Sequence, residues 1–245
     1  RLATLLKQLP LQSYPISQVF VVDNGSTDGS AEAAEYLNAK VIYLGVNRGF
    51  AVAVNAGIAE ARTDLVAILN NDVELHPEWL AHLVSAVSPT SVSFSTGKVM
   101  QATRQDTIDG TFDAICRGGS SWRCGSGRSD GEVWNQRRVV RFASMTAALF
   151  RTALFRDVGP LDERFESYLE DVDFGLRSAS RGYTGIYVPE ALSFHAGSAT
   201  LGAWSPRTVR QIARNQLFLI AKHYPTMTIW RMDGQLLLRR VCGDV

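Results

Sequence analysis

The feature that most constrains this chain's fold is the alternation of short apolar runs with helix-like segments near its N-terminus. Residues 18–22, 40–44 and 65–69 are rich in Val, Ile and Leu and have the length of buried strands. The segments between them, residues 31–38 and 50–61, have the composition of helices. Strand, helix and strand in succession build parallel crossover units whose helices cover both faces of the sheet. The alternation therefore predicts an α/β fold with a mostly parallel sheet.

The pattern further along the chain extends this fold into one large domain. Additional helices are predicted at residues 2–9, 77–87, 151–158, 170–181 and 206–223, and additional strands at residues 142–150 and 185–188. A chain of 245 residues is long enough to bury a substantial core. We therefore interpret residues 1–225 as a single domain and residues 226–245 as a C-terminal appendage.

Residues 95–142 differ from their surroundings, because Gly, Ser, Arg and Asp dominate them. Long irregular insertions in compact domains are often binding loops or lids. The segment is interpreted as a long loop on the acceptor side of a binding site, with plain disorder as the alternative. The appendage carries Ile and Leu residues beside three arginines, which fits either a helix at the domain edge or an amphipathic patch on a membrane surface.

Composition and charge argue against several classes of protein. The chain is 46% apolar and 20% charged, as is usual for globular domains, and its net charge of +1 offers no footprint for nucleic acid. Three cysteines without metal-ligand spacing favour reduced thiols in a cytosolic protein. No apolar run is long enough to span a bilayer. We expect a cytoplasmic protein, with peripheral contact at the inner membrane face left open.

Asp23 ends the first predicted strand and is followed by a turn-rich polar cluster. In open α/β sheets, ligands bind at the carboxyl ends of the strands. An aspartate at that place can accept hydrogen bonds from the N–H or hydroxyl groups of a ligand. Because strands that end in an aspartate and a turn also occur without any ligand, this stretch alone leaves both interpretations open.

A second polar group, Asn70, Asn71 and Asp72, follows the third predicted strand. If the chain stays extended there, Asn70, Asp72 and Glu74 face the same way. Oxygen ligands at the end of a sheet suit Mg²⁺ or Mn²⁺, which keep waters and substrate phosphates in their coordination shell. The alternative is a loop in which Asp72 or Glu74 caps the helix that begins near Pro77.

Three carboxylates, Glu170, Asp171 and Asp173, crowd the start of a predicted helix. Acidic residues in a first turn complement the helix dipole, and Asp173 can pair with Arg177 one turn later. Those roles account for one or two of the three. Clustered carboxylates raise the proton affinity of at least one member, which is how a general base is tuned. His195 stands alone after a later strand, and a lone histidine is more often a packed or surface residue.

Taken in order, these segments resemble the family 2 glycosyltransferases, which are inverting nucleotide-sugar enzymes with the GT-A fold, and in particular their bacterial rhamnosyltransferase-like branch. The matching residues are Val22 to Ser30, Asn47 to Phe50 with Asn55, Leu69 to Val73, Gly159 to Glu163, Tyr168 to Asp173 with Arg177, Gly182-Tyr183, Val188-Pro189, His195 and Arg214-Asn215. Each piece is weak alone, but the ordered set is specific.

The resemblance implies a role for each of these polar residues. Asp23 would contact the nucleotide base, and the other residues on the nucleotide-sugar would be Asn47, Arg48, Gly49, Asn70 and Asn71. Asp72 would hold a divalent ion, Mg²⁺ or Mn²⁺, on the diphosphate, because residues 70–72 stand where the family carries an Asp-any-Asp motif. His195 matches a histidine that can complete the metal shell, and Asp171 matches the catalytic base.

The implied reaction is inverting transfer of a sugar from a nucleotide diphosphate to a glycan or lipid-linked acceptor, with dTDP-rhamnose as the first expectation for the donor. Two alternatives remain. A sugar-phosphate nucleotidyltransferase shares the architecture but normally carries a Gly-rich basic phosphate loop, which we do not find. A non-catalytic binding domain is the other, because family members have an apolar strand ahead of the helix at residues 2–9, and without it part of the nucleotide pocket would be missing.

Overall fold

The computed structural model describes residues 1–116, 119–197 and 205–225. Its helices are α1 (Leu2–Gln8), α2 (Ser30–Tyr36), α3 (Phe50–Glu60), α4 (Trp79–Val87), α5 (Thr152–Val158), α6 (Glu170–Ser180) and α7 (Pro206–His223). Its strands are β1 (Phe20–Asp23), β2 (Lys40–Tyr43), β3 (Leu65–Leu69), β4 (Val73–Leu75), β5 (Phe94–Gln101), β6 (Arg104–Gly110), β7 (Asp113–Ile115), β8 (Ser121–Arg123), β9 (Arg138–Val140), β10 (Ala147–Arg151) and β11 (Gly185–His195). The predicted appendage at residues 226–245 lies outside the described residues.

A mixed sheet of seven strands forms the centre of the described part of the chain. Its main order is β3-β10-β5-β11-β4, with β6 beside β5 and β9 beside β11. In this sheet β5 and β11 are parallel, whereas the other pairings are antiparallel. The prediction of a mostly parallel sheet is therefore wrong. The crossover pattern on which it rested covers only the N-terminal strands, and of these β1 and β2 do pair in parallel, in a small sheet of their own.

Helices cover both faces of the central sheet, as predicted. Alternate residues of β10 point to opposite sides, so Ala147 and Leu149 enter one apolar cluster while Ala148 and Phe150 enter the other. The first cluster takes its helical residues from α1, α2 and α4, and the second from α3, α5 and α6. Each fully buried Leu or Phe contributes about 1.5–3 kcal/mol to the stability of this arrangement.

The segment predicted as a long loop, residues 95–142, instead contains most of β5 and all of β6 to β9. β5 was not predicted because its interior residues include polar side chains. These side chains can be buried because other elements supply their hydrogen-bond or ion-pair partners. Ser95 Oγ donates to Leu83 O at 3.0 Å, and Thr96 Oγ1 donates to Thr111 O at 3.1 Å. Lys98 Nζ lies 2.8 Å from the carboxylate of Asp130. Because these partners are distant in sequence, no local pattern predicts the strand.

An interruption separates β1 of the small sheet from β3 at the edge of the central sheet. Within the described residues, β1 pairs with β2 and β3 pairs with β10, so the other edge of each strand has no neighbouring strand. Residues of both strands line one cavity of about 2220 Å³. The cavity extends from this interruption to the carboxyl ends of the strands, where the polar residues singled out in the sequence are found.

Candidate active site

One cavity brings together every residue that the sequence predicts for the site. Its lining includes Asp23, Asn47, Arg48, Gly49, Asn70, Asn71, Asp72, Asp171 and His195. These residues come from the ends of β1, β3 and β11, the loop before α3 and the first turn of α6. The arrangement is the one expected at the carboxyl ends of the strands of an α/β sheet, where loops from several strands converge on a ligand.

Asn24 joins the two loops that are predicted to bind the nucleotide. Its side chain donates to Gly49 O at 3.1 Å and accepts from the backbone N–H of Arg48 at 2.8 Å. In the same loop, Asp23 is 8% exposed, and its carboxylate accepts from the N–H of Ser26 at 3.1 Å. The two loops therefore form one polar wall in which a single carboxylate oxygen of Asp23 has a backbone partner.

Two glycines allow close approach in this wall. Gly25 has a φ of +79°, and a Cβ there would lie 2.8 Å from the backbone of Val46 and Asn47. Gly49 has a φ of +91°, and its Cβ would lie 2.8 Å from the backbone of Glu166. Any side chain at either position would strain the backbone and force the loops apart. The wall is thereby packed against the turn that precedes α6.

The chain turns at residues 70–72 instead of staying extended. Asn71 and Asp72 form a turn between β3 and β4, and Glu74 is exposed. The expectation that Asn70, Asp72 and Glu74 share one face of an extended segment is therefore wrong, because the turn separates Glu74 from the other two. Asp72 makes no cap for α4, and its Oδ1 lies 3.1 Å from Nε2 of His195.

His195 lies between two carboxylates. Its Nε2 faces Asp72, and its Nδ1 lies 3.0 Å from Oδ2 of Asp109 at the end of β6. Burial disfavours the charged ring, but hydrogen bonds to Asp109 and Asp72 outweigh it and raise the pKa of His195 to about 9. The hydrogen bond from His195 also lowers the pKa of Asp72 against the effect of burial. These contacts favour the protonated ring, so a metal cation bound at Nε2 would have to displace the proton on that nitrogen.

The donor set of Asp72 and His195 is compatible with a divalent cation. The described residues contain no group of three or more His, Cys, Asp or Glu side chains arranged around one metal position. Mg²⁺ and related ions need few protein ligands when substrate phosphates and waters complete the shell. A ligating histidine commonly holds its other ring nitrogen against a carboxylate, and Asp109 occupies that place. Asp72 and His195 thus fit such an ion together with a diphosphate.

The three carboxylates at the start of α6 separate into different environments. Asp173 is fully buried and is paired with Arg177 at 2.9 Å, Lys222 at 2.8 Å and His223 at 2.7 Å. The predicted pairing with Arg177 is confirmed. Asp173 is therefore a structural anchor between α6 and α7, and its pKa is lowered because these partners outweigh the effect of burial.

Asp171 and its neighbours hold protons more tightly. Burial raises the pKa of Asp171, although Arg123 and backbone N–H groups oppose the rise. Burial and the charge of Asp171 raise the pKa of Asp113 to about 7, and the same two causes raise the pKa of Glu170 well above its usual value. Glu170 also has a buried Oε2 without a hydrogen-bond partner in the structure. Glu170 and Asp171 both line the cavity, but Glu170 is only 5% exposed whereas Asp171 is half-buried, so Asp171 is the more accessible of the two.

Sequence reasoning missed Asp109, Asp113 and Arg123. All three lie in the segment interpreted as a loop, and all three line the cavity. Their partners are remote, since His195 is 86 residues from Asp109. The only local signal is the Asp-Gly-Thr-Phe-Asp run at residues 109–113, in which two acids flank a short segment that begins with glycine.

Asn215 fixes the turn that leads into α6. It is fully buried on α7, and its side-chain amide donates to the carbonyls of Phe165 at 2.8 Å, Ser167 at 2.9 Å and Tyr168 at 2.6 Å. In this turn, Glu166, Tyr168 and Leu169 have φ values of 59°, 72° and 69°. Left-handed conformations are costly for such residues and persist only where surrounding contacts impose them.

Comparisons with known proteins identify the family and the fold. The family model described as "Glycosyl transferase family 2" matches residues 1–159. The chain is 28% identical over 257 residues to an N-acetylglucosaminyl-diphospho-decaprenol L-rhamnosyltransferase of Mycobacterium tuberculosis, covering 92% of this chain and 82% of that protein. It is 27% identical over 245 residues to glycosyltransferase AglE of Haloferax volcanii, covering 96% of this chain and 71% of that protein.

Solved structures are similar in fold at low sequence identity. The mannosyltransferase PcManGT of Pyrobaculum calidifontis, in complex with GDP-Man and Mn²⁺, has a TM-score of 0.58 at 16% identity, covering 98% of this chain and 71% of that one. GalNAc-T7 with UDP, GalNAc and Mn²⁺ has a TM-score of 0.63 at 15% identity, covering 84% of this chain and 41% of that one. In the part of the chain that the structure describes, no helix combines the length and apolarity needed to cross a bilayer.

Proposed function

This chain belongs to glycosyl transferase family 2 and is a glycosyltransferase of the rhamnosyltransferase-like type with the GT-A fold. We propose that it transfers a sugar from a nucleotide diphosphate to a glycan or lipid-linked acceptor, with inversion at the anomeric carbon. The observation that carries the proposal is the convergence, in one cavity, of the loops at residues 23–28 and 47–49, the Asp72–His195 pair and Asp171. These groups suit, in that order, a nucleotide-sugar donor, a divalent cation and an acceptor hydroxyl.

The donor is proposed to lie against the wall formed by the loops at residues 23–28 and 47–49. Asp23 would accept hydrogen bonds from the base, and Asn47, Arg48 and Gly49 would line the pocket beside it. The match to a rhamnosyltransferase favours dTDP-rhamnose as the donor. That relative's name also specifies a decaprenol-linked acceptor, which supports a lipid-linked acceptor for this chain.

Asp72 and His195 would hold a divalent cation against the diphosphate, with Asn70 and Asn71 beside it. When bound, such an ion neutralises the negative charge that develops on the leaving nucleoside diphosphate. The solved relatives that contain Mn²⁺ support this assignment. Asp109 would keep the ring of His195 turned so that Nε2 faces Asp72.

Asp171 would accept the proton of the acceptor hydroxyl as that oxygen attacks the anomeric carbon. Its raised pKa makes it a better proton acceptor than an exposed aspartate, and the N–H of Val172, at 2.8 Å from Oδ1, fixes its orientation. Because the attack and the departure of the diphosphate occur on opposite sides of the anomeric carbon, one displacement inverts its configuration.

The test is turnover of dTDP-rhamnose, with UDP-sugars as alternative donors, by the native chain and by Asp171→Asn. We expect Asp171→Asn to reduce turnover by roughly 10²–10⁴-fold while nucleotide binding changes little. Asp157→Asn is the matched control, because Asp157 is exposed outside the cavity and bonds to the hydroxyl of Tyr183. Equal loss of binding and turnover in Asp171→Asn would contradict the assignment of a base.

A further inference from the structure

Arg123 connects the two groups of carboxylates in this cavity. Its Nη1 donates to Asp109 Oδ2 at 2.9 Å, and its Nε lies 4.0 Å from Asp113 Oδ1. Its Nη2 donates to the hydroxyls of Ser144 at 2.8 Å and Thr146 at 3.1 Å. Asp109 belongs to the side of the site that holds His195, whereas Asp113 belongs to the side that holds Asp171. One guanidinium therefore spans both.

Gly110 leaves room for the side chain of Arg123 because it has no Cβ. A Cβ at Gly110 would lie 1.9 Å from Cδ and 2.3 Å from Cγ of Arg123. No other side chain fits at that position unless Arg123 moves. The observed position of the Arg123 side chain therefore depends on glycine at position 110 of β6.

The segment that Arg123 holds also contacts the proposed base. Ser144 and Thr146 are both 5% exposed, and the residue between them, Met145, hydrogen-bonds through its backbone to the carboxylate of Asp171. The carbonyl of Thr146 accepts from the N–H of Asn70 at 2.8 Å. Arg123 thus fixes a short segment that touches Asp171 on one side and the start of the turn carrying Asp72 on the other.

Charge gives Arg123 a second influence on Asp171. The titratable groups facing Asp171 are Arg123 on β8, Asp113 on β7 and Glu170 on its own helix. Among these, Arg123 is the cation and favours the ionised form of Asp171. The side chain of Arg123 is about one third exposed and lines the cavity.

We propose that Arg123 is a positioning residue that aligns Asp171 with the acceptor hydroxyl, by tying residues 144–146 to Asp109 and Asp113 and by facing Asp171 with a positive charge. This inference rests on the proposed function, because it assigns Asp171 the role of base. Arg123 itself need touch neither donor nor acceptor, since three of its five N–H groups already donate to Asp109, Ser144 and Thr146.

The experiment compares Arg123→Gln, Arg123→Lys and Gly110→Ala with Arg128→Gln, which removes an exposed arginine from the same segment. Turnover of dTDP-rhamnose is measured against pH, and binding of dTDP with Mn²⁺ is measured by calorimetry. For Arg123→Gln we expect the acid limb of the pH profile to move up by about one unit, because an opposite charge this close lowers a carboxyl pKa by about 1–3 units. We expect kcat to fall at least about tenfold with little change in KM for the donor.

The other variants separate charge from position. Arg123→Lys keeps the positive charge but lacks the planar guanidinium that donates to several oxygens at once. Its kcat should therefore fall, while the acid limb of its pH profile should move less than that of Arg123→Gln. Gly110→Ala keeps Arg123 but displaces it, so it should resemble Arg123→Gln. Arg128→Gln should behave as the native chain. An unchanged acid limb in Arg123→Gln, or a loss of activity explained by donor KM alone, would overturn the inference.

A readout without turnover distinguishes failure of this inference from failure of the proposed function. If the positive charge of Arg123 lowers the pKa of Asp113 and Asp171, its removal raises the proton affinity of both carboxylates further. The free energy of unfolding of Arg123→Gln should then fall more steeply between pH 5 and pH 8 than that of Arg128→Gln. Parallel curves would overturn the inference even in an active enzyme. Absence of turnover by the native chain, with any nucleotide sugar tried, would instead count against the proposed function.

Discussion

Asp72 and Asp171 are carboxylates whose surroundings differ in a way that suits two different tasks. The hydrogen bond from His195 lowers the pKa of Asp72, whereas burial raises the pKa of Asp171. A carboxylate that stays ionised is a good ligand for a cation, and one with a raised pKa is a good acceptor for a proton. The environment of each side chain therefore agrees with the role proposed for it.

Asp72→Ala is expected to weaken Mn²⁺-dependent binding of dTDP by at least about tenfold, because it removes the proposed direct ligand and losses at supporting residues alone often reach that size. Calorimetry with and without Mn²⁺ measures the effect. Glu74→Ala is the matched control, since Glu74 is an exposed carboxylate two residues away on β4. Unchanged affinity in Asp72→Ala, or equal losses in both variants, would count against a metal site at Asp72.

Asp109→Asn is expected to weaken the same Mn²⁺-dependent binding less than Asp72→Ala does, by about three- to tenfold, because the amide holds the His195 ring more weakly than a carboxylate does. The comparison of the two variants by calorimetry checks the order. A larger effect at Asp109 than at Asp72 would mean that the cation binds on the Asp109 side of the ring.

The sequence allowed prediction of those site residues whose local pattern is distinctive. Asp23 follows an apolar strand, Asp72 lies in a polar run and Asp171 belongs to a cluster of acids, and resemblance to a family gave each a role. Asp109 and Arg123 could not be found in this way, because their significance depends on pairings between distant strands. Their assigned roles, like those of the predicted residues, stay proposals until the variants are measured.

At the scale of elements, helices were predicted more accurately than strands. The predicted helix at residues 206–223 matches α7 (Pro206–His223), whose Ser205 cap accepts from the N–H of Thr208 at 3.2 Å. By contrast, β5 was missed because burial of Lys98 is made tolerable by Asp130 and Asn135, which are 32 and 37 residues away. Caps and helical periodicity are local signals, whereas the burial of a polar strand depends on partners elsewhere in the chain.

The contact between α7 and the turn before α6 leads to a prediction at this scale. Asn215→Asp keeps the shape of the side chain but removes the amide donors, so the carbonyls of Ser167 and Tyr168 lose this partner and Phe165 O keeps only Arg214. All three carbonyls also repel the new carboxylate. We expect a loss of about 2–4 kcal/mol in the free energy of unfolding, since each unsatisfied buried group costs about 1–3 kcal/mol and the losses overlap. Chemical denaturation measures this.

Arg210→Ala provides the control for α7, because Arg210 is exposed on the same helix. It should change the free energy of unfolding by no more than about 0.5 kcal/mol. If Asn215→Asp were equally neutral, the left-handed residues of the turn would have to be stable without the amide, and the account of this contact would be wrong.

At the scale of the whole molecule, the buried acids of the site make stability depend on pH. The folded pKa of Asp113 is about 7, above its unfolded value, so the folded state binds a proton that the unfolded state releases. Stability is therefore expected to fall as the pH rises from about 4 to about 7, by up to about 1.4 kcal/mol per pH unit for each such group.

Asp113→Asn should flatten this decline, because an amide does not titrate. The measurement is the free energy of unfolding at pH 5 and pH 8 with EDTA present, which keeps divalent ions from masking the effect. Asp106→Asn serves as the control, since Asp106 is exposed on β6 of the same segment. A native chain whose stability is equal at the two pH values would contradict the burial of proton-binding acids at this site.

The unpaired edges of β1 and β3 also give the cavity a binding property of its own. Each strand leaves one row of backbone N–H and C=O groups facing the large cavity, without a strand alongside in the described residues. Such groups can pair with an extended segment that reaches them. We expect an extended apolar peptide added to this chain to bind along these edges, with calorimetry as the measurement.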